Sequence, residues 1–161
     1  GSDAVQTNSF TASPLKVAEF GLPKSKTYDI NYAAAKICRK VADKYSKIKP
    51  RFVKGTIGPS GFLPSSTDES LCKVTYDELV QNFYEQSLGL IDGGVDLFMI
   101  ETQQDILETK AAVAGVRKAQ LDRKKRLPIV CQATYDVNQK MLLGTNVESV
   151  LTTLDCLDID V

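Results

Sequence analysis

Along the chain, short runs of β-branched and aromatic residues give way to stretches in which apolar positions recur every three or four residues, and the alternation repeats to the end. Residues 3–7 (DAVQT), 51–57 (RFVKGTI), 96–101 (DLFMIE) and 128–134 (PIVCQAT) read as strands, and each is followed by a helical pattern. Thr27 offers an N-cap to a helix whose apolar stripe is Ile30, Ala34, Ile37, Val41, Tyr45 and Ile48, and Pro50 stops it. Thr75 and Glu78 have capping-box spacing and start a helix that turns Leu79, Val80, Phe83, Ser87, Leu90 and Ile91 inward. Gly93-Gly94 ends it. Asp105-x-x-Glu108 opens a helix through Ala111, Ala114 and Leu121, and Thr145-x-x-Glu148 caps one carrying Val147, Val150, Leu151 and Leu154. Residues 158–161 begin another strand.

Strands alternating with single helices imply βαβ units and a parallel sheet, either doubly wound or closed as a (β/α) barrel. Connection lengths favour the barrel. The turns entering strands are short, whereas residues 8–26 and 58–74, which leave strands, are long and rich in Ser, Pro and Gly. In barrels the long loops sit at the C-terminal ends of the strands, where sites are built. No GxGxxG or GxxxxGK[ST] loop follows any strand, which lowers the case for a nucleotide-binding sheet. A complete barrel takes ~250 residues, and this chain has 161. The expected fold class is therefore α/β, an incomplete (β/α)8 TIM barrel of about four βα units plus the start of a further strand. Residues 1–161 form one partial domain in this reading.

Composition narrows the function. With 20 Lys+Arg against 20 Asp+Glu, the chain has no net field to attract a phosphate backbone or an anionic bilayer, so neither nucleic acid nor membrane is expected as a partner. No apolar run approaches the ~18 residues of a membrane span, and no basic-then-apolar leader opens the chain. There is no histidine, which removes the imidazole of nucleophilic triads and of most zinc hydrolases. Cys38, Cys72, Cys131 and Cys156 are scattered, with no C-x-x-C pair, as expected of reduced, mostly buried thiols in a cytoplasmic protein. The basic run at residues 122–126 reads as a solvated turn.

The strand ends carry the candidate chemistry: Thr7-Asn8, Gly58-Pro59-Ser60, Glu101-Thr102 and Thr134-Tyr135 would converge on one mouth. Glu101 stands out, because a carboxylate that closes an apolar strand loses hydration unless it meets a cation or several donors. That cation is either a ligand amine or a Lys or Arg of a neighbouring element. Thr7-Asn8 fits a site or a loop-initiating Asx turn, and residues 58–61 fit a tight turn better than a phosphate cradle.

Five segments together resemble the homocysteine S-methyltransferase family: TNSF at 7–10, INYAAAKICRKVAD at 30–43, KGTIGPSG at 54–61, EQSLGLIDGGVDLFMIETQQDILETKAAV at 85–113 and PIVCQATY at 128–135. The chain is most similar to the cobalamin-dependent, methionine-forming branch, and the likeness covers almost all of it. The resemblance implies a barrel in which homocysteine binds at the mouth as a zinc thiolate. It then takes a methyl group from methylcobalamin, itself charged from methyltetrahydrofolate. Cobalamin and folate domains of the parent protein are the implied partners. A zinc-bound thiol is already deprotonated, so the missing histidine is no obstacle. The family's three zinc cysteines belong to its sixth and eighth strands, and none of the four cysteines here matches them. No catalytic residue or metal ligand is therefore assigned to this chain. What carries over is substrate binding: Glu101 resembles the acid that holds the homocysteine ammonium, with Thr7, Asn8 and Thr102 as neighbours. Two alternatives remain, a betaine- or S-methyl-sulfonium-dependent homocysteine methyltransferase and a non-catalytic α/β scaffold. Alone, the chain is expected to be inactive and, through its open barrel edges, to self-associate.

Overall fold

The computed structural model describes all of residues 1–161 and holds four strands, β1 (Ala4–Gln6), β2 (Phe52–Ile57), β3 (Leu97–Gln103) and β4 (Ile129–Ala133). They form one parallel sheet in the order β1-β2-β3-β4, with Ala4 beside Phe52, Lys54 beside Leu97 and Phe98 beside Ile129. A doubly wound sheet reverses its strand order at a switch point, and this one does not. With right-handed crossovers, sequential order sends every connecting helix to one face, the arrangement of a barrel wall.

Those helices are α2 (Thr27–Tyr45), α3 (Tyr76–Gly93) and α4 (Ile106–Asp122), with α3 packed between the other two. Val53, Ile57, Phe98, Ile100 and Ile129 of the sheet meet Leu79, Phe83, Leu90, Ile91 and Val116 of the helices in one core from which solvent is almost wholly excluded. Each such side chain contributes about 1.5–3 kcal/mol on burial. The helices approach closely at glycines. A Cβ on Gly89 would lie 2.6 Å from the Tyr28 carbonyl oxygen, and one on Gly115 would lie 2.6 Å from that of Val80.

This close approach corrects the expected stripe of α2. Thr27, Asn31, Ala35 and Ala42 are its buried residues, whereas Ile37, Val41 and Tyr45 are exposed and Ile48 lies beyond the helix, in solvent. Small residues are what the glycine-bearing face of α3 accepts, so the largest apolar residues of α2 turn away from it. Val41 and Tyr45 instead line an open groove with Ala4 and Val5, beside the free edge of β1. Thr27 is also not the cap but the first helical residue, at φ −51° and ψ −49°.

Other boundaries move less. The Thr75–Glu78 box forms, with the Glu78 amide donating to Thr75 Oγ1 at 3.2 Å and the Thr75 amide to Glu78 Oε2 at 2.8 Å. Asp105 caps α4, but Glu108 does not return to complete a box, and Leu121 is exposed. A further helix, α5 (Val147–Asp155), is capped by Asn146 in place of Thr145. The long segment after β1 holds the six-residue α1 (Pro14–Glu19) and a 3₁₀ turn (Lys24–Lys26), both absent from the sequence reading although Pro14 stands at a helix start. β3 continues past Glu101 to Gln103 through a register shift after Ile100. Along the outer edge of β4, the Asp160 amide donates to the Ile129 carbonyl and the Cys131 amide to the Val161 carbonyl, both at 2.9 Å. The final residues thus cover part of the β4 edge without forming a strand of their own, whereas no backbone of the chain pairs along the outer edge of β1. No helix is long and apolar enough to cross a membrane.

Candidate functional site

Side chains on a strand alternate between faces. Gly55 looks toward the helices, since a Cβ there would lie 3.1 Å from Val95 Cγ1. Its neighbours Lys54 and Thr56 therefore face the other way, and with them, through the register, Gln6 of β1 and Leu97, Met99 and Glu101 of β3. This concave face is only partly covered: Lys54, Leu97, Met99 and Glu101 are half-buried and Gln6 is exposed.

Glu101 sits at the C-terminal end of β3, where its Oε1 accepts a hydrogen bond of 2.6 Å from Gln6 Nε2. The bond reaches over β2 from one strand to the next but one. None of the protein's ion pairs includes Glu101. The internal Lys or Arg partner that sequence reasoning allowed is thus replaced by a neutral amide, which satisfies one oxygen and leaves the charge uncompensated. Gln6 was missed as a site residue; its signal was a polar side chain two positions from Ala4 and out of phase with Val5.

Thr102 follows in the left-handed region, at φ 60°, a rare setting for a β-branched residue. It is half-buried beside Glu101. Gln103 anchors this turn, donating from Nε2 to the Glu101 carbonyl at 3.2 Å and accepting the Thr134 amide on its own carbonyl at 2.8 Å. Thr7 follows β1 directly. It is buried, shares a 2.7 Å hydroxyl contact with Ser9 and accepts the Thr56 amide at 3.0 Å, tying the end of β1 to β2. Asn8 is exposed on the lip. Of the four expected residues, Glu101 and Thr102 are half-buried at the end of β3, Asn8 is exposed after β1, and Thr7 is buried between the ends of β1 and β2.

At the start of α4, Glu108 and the N-cap Asp105 hold the loop that follows β2. Glu108 is fully buried; its Oε1 accepts the Ser60 amide at 2.7 Å and the Ser60 hydroxyl, while Oε2 has no partner. Burial is the main reason its carboxyl is pushed up to about 7, against the lowering effect of the two Ser60 bonds. Asp105, also buried, accepts the Ser65 amide and the Ser65 hydroxyl at 2.8 Å each. Gly58 starts this loop pressed on Phe10, whose carbonyl oxygen would be 2.7 Å from a Cβ.

The donor set does not fit a zinc centre. Cys38 is half-buried on α2 with its thiol toward the Gln6 carbonyl, Cys131 faces the helix layer, Cys72 is half-buried in the loop after β2 and Cys156 is exposed at the end of α5. Burial pushes the Cys131 thiol up to about 12, which disfavours the thiolate that a metal needs. Nowhere do three His, Cys, Asp or Glu side chains assemble for a metal ion.

Comparison with known proteins agrees with this architecture. The family profile described as Homocysteine S-methyltransferase matches residues 1–161. A methionine synthase of Mycobacterium tuberculosis is 32% identical and one of Mycobacterium leprae 31% identical, each over 99% of this chain. The chain spans only 13% of either relative's length. Among solved structures, the metallated form of the homocysteine methyltransferase MmuM from Escherichia coli superposes with a TM-score of 0.77 at 18% identity, over 98% of this chain and 55% of that one. Its apo form gives 0.71 at 17% identity, over 98% of this chain and 53% of that one.

Proposed function

The chain belongs to the homocysteine S-methyltransferase family, and from that premise we propose that it forms one side of the substrate mouth of a homocysteine-methylating (β/α) barrel. Glu101 is the receiver of the homocysteine ammonium. The observation that carries this reading is a half-buried carboxylate at a strand's C-terminal end, held by Gln6 at 2.6 Å and in no ion pair. An ammonium would supply the missing charge, while Gln6 fixes the rotamer by occupying one oxygen. Thr102 and Asn8 border the same opening, and Thr7 keeps the end of β1 in place under it.

Nothing in this chain activates the thiol or carries the methyl group. In our reading the zinc ligands, the corrinoid that delivers methyl and the folate domain that recharges it lie on other parts of the parent protein. Its unpaired thiols suit a reducing compartment, so the cytoplasm is the location we propose. Apart from its parent the chain is expected to be inactive and to self-associate through the bare edge of β1. A clean monomer in light scattering at high concentration would oppose that second expectation.

The test of the site is Glu101→Gln in the full-length protein. Losing a charge-assisted hydrogen bond removes about 1.5–3 kcal/mol, or roughly 10- to 150-fold in homocysteine affinity. Zinc content should stay the same. An affinity within about twofold of wild type would return Glu101 to a structural role.

A further inference from the structure

We propose that Ser60–Glu108 and Ser65–Asp105 act together as a latch that holds the turn at Thr102 and so aims Glu101 into the mouth. The proposal rests on Glu101 being the ammonium receiver and assigns Glu108 and Ser60 as positioning residues for it.

The argument starts from the backbone. A threonine at φ 60° stays there only when its surroundings leave it no alternative. On its strand side the turn is held by Gln103, through the Thr134 amide and the Glu101 carbonyl. On its helix side it runs within three residues into Asp105, whose carboxylate both caps α4 and receives two hydrogen bonds from Ser65. One helical turn further, Glu108 receives two more from Ser60. Both acids have almost no exposed surface; the two Ser60 bonds are buried and do not compete with water, while the two from Ser65, itself exposed, are part-buried. The loop after β2 and the loop after β3 are therefore one body. Moving Ser60 moves the start of α4, and the start of α4 fixes where the chain can leave β3.

Burial of Glu108 is itself informative. A structural core position is filled more cheaply by an apolar residue than by a carboxyl with one oxygen unpartnered. The group sits in a setting that desolvates it, at a position where it clasps a neighbouring strand's loop.

A ligand pair separates aim from stability: homocysteine, and its des-amino analogue, which keeps the thiol and carboxylate but has nothing for Glu101 to hold. Both are titrated into the full-length protein. Glu108→Ala is expected to weaken homocysteine about tenfold and the analogue by less than about twofold. Glu108→Gln, whose amide oxygen can still accept both Ser60 bonds, is expected to restore homocysteine binding to within about threefold of wild type. Ser60→Ala, expected to fold, removes the hydroxyl's bond to Glu108 and the 3.2 Å bond it accepts from the Phe62 amide but keeps the Ser60 amide's bond to Glu108; a selective loss of about threefold is expected, and this variant decides if Glu108→Ala does not fold. If the latch variants weaken both ligands alike, or neither, while Glu101→Gln weakens homocysteine alone, the latch is overturned and the reading of Glu101 stands. If Glu101→Gln shows no selective loss, that reading fails and the latch fails with it.

Discussion

The two faces of the sheet are made by the same four strands and do opposite things. In β3, Phe98 and Ile100 point to the helices and have no exposed surface, while Leu97, Met99 and Glu101, one residue out of step, are half-buried on the concave side. The helix face is apolar, closed and pinned by glycines at van der Waals limits. The concave face mixes Gln6, Lys54 and Glu101 with apolar neighbours and is open. A single period-two pattern thus closes one face as core and leaves polar groups open on the other, and a substitution should report which face it lies on.

That contrast fails if the faces respond alike. Phe83→Ala, deep in the helix-side core, is expected to destabilise by about 3–5 kcal/mol in a urea titration. Next comes the buried acid behind the mouth. Glu108 is raised from 4.5 to about 7 by folding, so the folded state holds its proton more tightly than the unfolded one. Its contribution is complete below about pH 4.5 and fades as pH rises toward 7, a loss of order 3 kcal/mol. Wild type should therefore be less stable at pH 8 than at pH 5, and Glu108→Gln should flatten that fall; the chain has no histidine to mask it. Met99→Ala, half-buried on the concave side, should lose about 1 kcal/mol, well below Phe83→Ala; equal losses would erase the distinction. Smallest of all, Ile37→Lys on the outer side of α2 should fall within about 0.5 kcal/mol of wild type, since Ile37 is 68% exposed.

Ile37 also marks where sequence reasoning stopped. Periodicity weighs residues by apolarity, and in α2 it selected Ile37, Val41 and Tyr45, whereas the true contact with α3 is made by Ala35 and Asn31 against Gly89 and Gly93. Helices that approach at glycine need small partners, and small partners carry little periodic signal. In α3 the large residues do face the core, so Leu79, Phe83, Leu90 and Ile91 were legible together with the Thr75–Glu78 box. The four strands were legible for the same reason, being rich in Val, Ile and Phe. Glu101 could be singled out because a charge ends an apolar run. Gln6 and Glu108 could not, since what marks them is a partner 95 residues away in one case and 48 in the other. A helix-start acid such as Glu108 looks like an ordinary cap until the loop it clasps is known.

The strand order β1-β2-β3-β4 has a consequence for how such a wall is made during synthesis. Every strand pairs with the one made just before it, and of the long helices α3 packs on α2 and α4 on α3, so no pairing in the sheet waits for a distant part of the chain. Each new βα unit leaving the ribosome meets a template already in place, and the wall can lengthen by accretion from its N-terminal end. At β4 the outer edge already takes part in such pairing, through the backbone bonds that join Ile129 to Asp160 and Cys131 to Val161.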